Sequence, residues 1–110
     1  MNIYRNLDSG ITGVLIKTGQ TSLRGYYLAN NAATARFVKL YNKATAPAST
    51  DTPLVTMILP ATSAANIVFG SEAGVDAFTL GLGIRSTTGI ADADVGAPTA
   101  NDVVVNIYYN

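Results

Sequence analysis

The sequence predicts an all-β fold: a single-domain β-sandwich, jelly-roll-like, with seven to eight short antiparallel strands. Three observations carry this expectation. Short runs rich in β-branched and aromatic residues recur along the chain. Clusters of Gly, Pro, Asn, Asp and Ser separate them at the close spacing of an all-β domain. No long amphipathic helical pattern lies between them. A chain of 110 residues suits one domain, large enough to bury a core without cross-links.

Residues 1–12 read as an N-terminal arm or edge strand, and 13–110 as the sandwich domain. In the arm, Ile3, Tyr4 and Leu7 are apolar, while Asn2, Arg5, Asn6 and Asp8 break any period. The first good strand is 13–17 (GVLIK), bounded by Gly13 and the Thr18-Gly19 turn signal. The second, 23–29 (LRGYYLA), has imperfect alternation, and Gly25 marks a bulge or a close backbone approach. The third, 35–42 (ARFVKLYN), has large apolar residues on both faces and is expected to be partly covered on both; helix is its rival, given the nearby alanines. Residues 45–52 (TAPASTDT) read as an exposed loop.

Strands follow at 53–59 (PLVTMIL) and 66–69 (NIVF), then a turn at 72–76 containing Gly74. Residues 78–85 (FTLGLGIR) alternate most cleanly. Phe78, Leu80, Leu82 and Ile84 point one way, and Thr79, Gly81, Gly83 and Arg85 the other. A glycine face lets another backbone or a flat group approach closely. Residues 86–101 form a long loop with two glycines, a proline and the aspartates Asp92 and Asp94. The last strand, 102–109 (DVVVNIYY), ties the end of the chain into a sheet.

The chain contains no histidine, cysteine or tryptophan. Most catalytic and metal sites lean on the first two, so few routes to chemistry remain. A serine nucleophile would need a lysine base, and no Ser-x-x-Lys occurs. Gly81-x-Gly83 lacks the Gly-Lys-Ser/Thr end of a phosphate loop. Asp92 and Asp94 could offer oxygens to calcium, but no glutamate completes the spacing of a calcium loop, and aspartates also favour turns. Loop carboxylates (Asp51, Glu72, Asp76, Asp92, Asp94) could serve a small hydrolase if one end of the sandwich gathered a pair. The reading preferred here is non-enzymatic, with no catalytic residue, cofactor or metal.

Only 13% of residues are charged, and the net charge is zero. A soluble monomer usually has more surface charge. The low value fits either a surface covered by partners or a neutral Thr/Ser/Asn-rich one. Basic residues concentrate early (Arg5, Lys17, Arg24, Arg36, Lys39, Lys43) and acidic ones late (Asp51, Glu72, Asp76, Asp92, Asp94, Asp102). Unless the fold mixes the halves, this could align copies head to tail. Without a basic run, nucleic-acid binding is not expected. Nor is membrane insertion, as no apolar stretch is long enough and the start has no signal-peptide layout. Tyr26-Tyr27 and Tyr108-Tyr109 are adjacent pairs in strands, so one of each faces out, where tyrosine anchors interfaces or simply rims the core. Interface candidates are Ile3, Tyr4, Arg5, Leu7, Tyr26, Arg36 and Tyr108.

The runs SLRGYYLANNA (22–32), FVKLYNKATAP (37–47), TDTPLVTMILP (50–60) and APTANDVVVNIYY (97–109) resemble small virion structural proteins of tailed bacteriophages. Within that group the chain is most similar to capsid decoration (cement) proteins. The resemblance implies a β-sandwich or jelly roll on the outer capsid, assembled in the host cytoplasm. It would bridge neighbouring copies of the major capsid protein as a homo-oligomer, with a trimer favoured. The alternative expectation is a carbohydrate- or receptor-binding sandwich module of a phage tail or fibre. The missing tryptophan counts against sugar binding.

Overall fold

The computed structural model describes residues 1–70 and 73–110. Among them are nine strands and no helix: β1 (Asn2–Asn6), β2 (Val14–Thr18), β3 (Thr21–Asn30), β4 (Arg36–Asn42), β5 (Val55–Leu59), β6 (Ser63–Val68), β7 (Val75–Phe78), β8 (Gly81–Thr87) and β9 (Val103–Tyr109). One sheet, here sheet A, runs β1-β9-β3-β6, with β7 also paired to β3. Sheet B runs β2-β8-β4-β5. All pairings are antiparallel.

This order is a jelly roll. β1 pairs with β9, β2 with β8, β3 with β6 and β7, and β4 with β5. These are the rungs of one long antiparallel ribbon, folded at the β4–β5 connection and wrapped into two sheets. β6 and β7 share a single edge position beside β3. Ser63–Val68 covers the Gly25–Asn30 end of β3, and β7 covers Thr21 and Leu23.

The core lies between the sheets. Leu23, Leu28, Val103, Val105 and Ile107 come from sheet A, and Val38, Leu40, Leu59, Leu82 and Ile84 from sheet B; Phe78 closes it from β7. Each is essentially inaccessible to solvent, and burying a side chain of this size contributes about 1.5–3 kcal/mol.

Several boundaries differ from the sequence expectation. β6 begins at Ser63 because Ser63, Ala64 and Ala65 pair with Asn30, Ala29 and Leu28, although small residues carry little strand signal. The turn expected at 72–76 becomes strand β7 from Val75 onward; Glu72 lies outside the described residues. The clean alternation of 78–85 spans two strands in different sheets. Between them Leu80 turns outward and is 55% exposed. The Asn42 side chain pins that turn, accepting from the Leu80 N–H at 2.8 Å and donating to Thr79 Oγ1 at 3.2 Å. Gly25 meets both halves of its expectation: the β3–β9 register shifts between Leu23 and Gly25, and a Cβ there would lie 2.4 Å from the Ile67 carbonyl.

Residues 1–12 are joined to the sandwich. Asn2–Asn6 pairs with β9, the Ser9 N–H donates to the Val103 carbonyl at 2.9 Å, and Ser9 Oγ shares a 2.7 Å hydrogen bond with Ser86 Oγ.

Candidate interaction surface

The two sheets treat their outer faces differently. On sheet B, register places Lys39 of β4 directly opposite Arg85 of β8, with Tyr41 and Gly83 in the next row. Like charges directly opposed on a sheet repel. Both are nevertheless fully buried, because loops lie over them. Arg85 donates to the Ile11 carbonyl, to Tyr41 Oη and to the Asp94 carbonyl, each at 3.0 Å. Lys39 Nζ donates to the carbonyls of Ala91 and Gly89. The loop carbonyls thus solvate two cations that water cannot reach.

Burial is the main effect on the Lys39 ammonium and pushes its pKa below the ordinary lysine value. The field of Asp94 opposes this, Arg85 adds to it, and Asp92 opposes it.

The same loop explains Asp94. Its carboxylate accepts from the Gly96 N–H at 2.8 Å and the Gly89 N–H at 3.2 Å, holding the turn that covers Lys39. Asp92 is exposed. Among the described residues, no three His, Cys, Asp or Glu side chains gather closely enough to hold a metal ion.

The loop expected to be exposed at 45–52 contributes a second cover. Pro47 is buried against Gly13 and Gly83; a Cβ on Gly83 would sit 2.8 Å from Pro47 Cδ. The glycine face of β8 therefore receives the Pro47 ring at Gly83 and the Lys43 carbonyl at Gly81. Lys43 pairs with Asp51 at 2.5 Å within this loop, and that hydrogen bond is the first cause of the lowered Asp51 pKa. Arg36 pairs with Asp102 at 3.0 Å. These contacts join the basic and acidic halves of the sequence inside one molecule.

Sheet A leaves its outer face open. Opposed residues on adjacent strands share a face. One outer row is therefore Ile3, Tyr108, Gly25, Val68; the next is Arg5, Asn106, Tyr27, Asn66; the third is Val104, Ala29, Ala64. Arg5 is the single charge in these rows. Ile3 is 63% exposed and Tyr27 42%. Tyr108 lies over Gly25, with its ring edge 3.1 Å from where a Cβ would stand, so the ring shields the backbone that glycine leaves bare.

Of the interface candidates, Ile3, Arg5 and Tyr108 come together on this face. Leu7 is exposed just beyond β1. Tyr4 and Tyr26 point inward and pack on the core, so the outward member of the Tyr26-Tyr27 pair is Tyr27. Arg36 is engaged by Asp102, Thr34 and Ala35. Tyr27, the other member of the Tyr26-Tyr27 pair, and Val68 complete the face; neither is among the interface candidates that the sequence offers. The strand phase of Tyr27 was the available signal, but the bulge before Gly25 hides it.

A cavity of about 360 Å³ opens between residues 6–14 and 97–100, lined by Asn6, Asp8, Ile11, Val14, Pro98 and Ala100 among others. Its carboxylate is already engaged, since Asp8 Oδ1 accepts from the Asn101 N–H at 2.9 Å. No family model matches this chain, and no curated protein or solved structure is found to be similar to it.

Proposed function

We propose that this chain is a non-enzymatic virion structural protein. In this reading it is a decoration protein that attaches to the outer capsid of a tailed bacteriophage and stabilises contacts between major capsid proteins. The observation that carries the reading is the outer face of sheet A between β1 and β6: aromatic and aliphatic rows built on Ile3, Tyr108, Val68, Tyr27 and Val104, in which Arg5 is the one charge. Depletion of charge and enrichment in tyrosine mark the centre of protein interfaces. The stiff sandwich beneath holds that face in shape, so docking loses little conformational freedom. Jelly rolls also recur in viral capsid domains, an argument by fold analogy. Weak contacts repeated over a symmetric shell would sum to firm attachment.

The test is co-sedimentation with purified capsids of the phage that carries this sequence. Deleting residues 1–12 would strip an edge strand from β9, so point changes are cleaner. Ile3→Asp with Tyr108→Ser should lower occupancy on the capsid at least about tenfold, the size of effect expected from losing interface anchors. Occupancy equal to wild type, or no binding by the wild type, would overturn the reading.

A further inference from the structure

Edge strands present unpaired backbone groups, and proteins blunt them with charge, proline or bulges. β1 carries Arg5, and β2 carries Lys17 and a register shift between Leu15 and Lys17. β5 lies between Pro53 and Pro60. β7 carries Asp76, whose carbonyl accepts from Gln20 Nε2 at 2.9 Å. β6 has none of these devices: Ser-Ala-Ala-Asn-Ile-Val, with an unbroken register on β3 and two exposed β-branched residues, Ile67 (39%) and Val68 (64%).

The direction of its free groups follows from one hydrogen bond. The Phe69 N–H donates to the Arg24 carbonyl at 2.9 Å, so Phe69 points its backbone toward β3. Alternation then turns the N–H and C=O of Val68, Asn66 and Ala64 toward the open edge.

We infer that the β6 edge pairs with β6 of a second copy of this chain, antiparallel about a two-fold axis at Asn66. The sequence is self-complementary in that register. Ala64 falls opposite Val68 of the other copy on the outer face, and Ala65 opposite Ile67 on the inner face. Each large side chain meets a small one. Asn66 meets itself, exchanging both backbone bonds, and its side-chain amides can bond to each other. The chain is neutral, so two copies approach without net repulsion. One strand pair buries less than the ~1,200 Å² of a standard stable interface, so the dimer is reversible and concentration-dependent. The pairing is independent of attachment to a capsid.

Analytical ultracentrifugation of the full chain over a micromolar-to-millimolar series tests it. Wild type should pass from monomer to dimer. Asn66→Lys and Asn66→Asp each set like charges face to face at the axis and should remain monomeric, with unchanged far-UV circular dichroism. An equimolar mixture of the two should regain the dimer, because Lys then faces Asp. A wild type that stays monomeric, a trimer, a dimer that survives Asn66→Lys, or a mixture that stays monomeric would each overturn the inference. Ile3→Asp lies on β1 at the opposite edge of sheet A, so it should still dimerise whatever it does to capsid binding, which keeps this result separate from the proposed function.

Discussion

β8 and β9 occupy equivalent places, each central in its sheet, yet β8 is buried at every residue and β9 fully only at Val103, Val105 and Ile107. Both present alternate residues to the core. The difference lies on their outer faces. β8 offers Gly81 and Gly83, which leave room for the segment from Lys43 to Pro47, and Arg85, whose guanidinium supplies donors to the carbonyls of Ile11 and Asp94 in two further covering loops. β9 offers Val104, Asn106 and Tyr108, full side chains with no such group of donors for a covering loop. A sheet face becomes interior when it has both the space for a loop and the hydrogen bonds to satisfy it.

The sharpest way to break this comparison is Arg85→Ala. It leaves Tyr41 Oη and the carbonyls of Ile11 and Asp94 without their donor and opens a gap under the loop. The expected loss is about 3 kcal/mol, read from the urea midpoint. Asn106→Ala on β9 should stay within about 0.5 kcal/mol of wild type. Equal effects at the two positions would remove the distinction.

Gly83→Ala tests the space rather than the donors. Its Cβ would press on Pro47 Cδ and Cγ, at 2.8 and 3.0 Å, and overpacking of this kind costs about 1–3 kcal/mol. Gly10→Ala, with nothing within 4 Å of the new atom, should leave the thermal midpoint near wild type.

The smallest effect is one of pH. Lys39 has a lowered folded-state pKa, so between that value and the ordinary 10.5 the unfolded chain holds more protons than the folded one. Stability from this group is therefore lowest below the folded pKa and rises as pH climbs toward 10.5. Lys39→Met lacks the rise. The difference in unfolding free energy between wild type and Lys39→Met should move in favour of wild type across the alkaline range; a flat difference would show that Lys39 does not titrate in the buried site.

Much of the fold was legible because strands leave a local trace. The runs at 13–17, 35–42 and 102–109 lie within about a residue of β2, β4 and β9. Ser63–Ala65 was not legible, since its pairing with β3 owes nothing to its own side chains. The break at Thr79-Leu80 was hidden because alternation continued across a passage from one sheet to the other. Within the candidate surface, Ile3, Arg5 and Tyr108 could be named from residue type, whereas Tyr27 and Val68 needed the register around the Gly25 bulge.

Composition and periodicity by themselves determined the fold class and the scarcity of charge. They also reduced the groups that could do chemistry to a few loop carboxylates, serines and lysines. Only the tertiary structure decided that the sandwich is a jelly roll, that Lys39 and Arg85 lie beneath loops, and that β6 is an unguarded edge. Alternation is a property of neighbours along the chain. Strand order, coverage and edge position depend on hydrogen bonds between residues far apart in sequence, such as Arg85 with Ile11 and Asn2 with Tyr109.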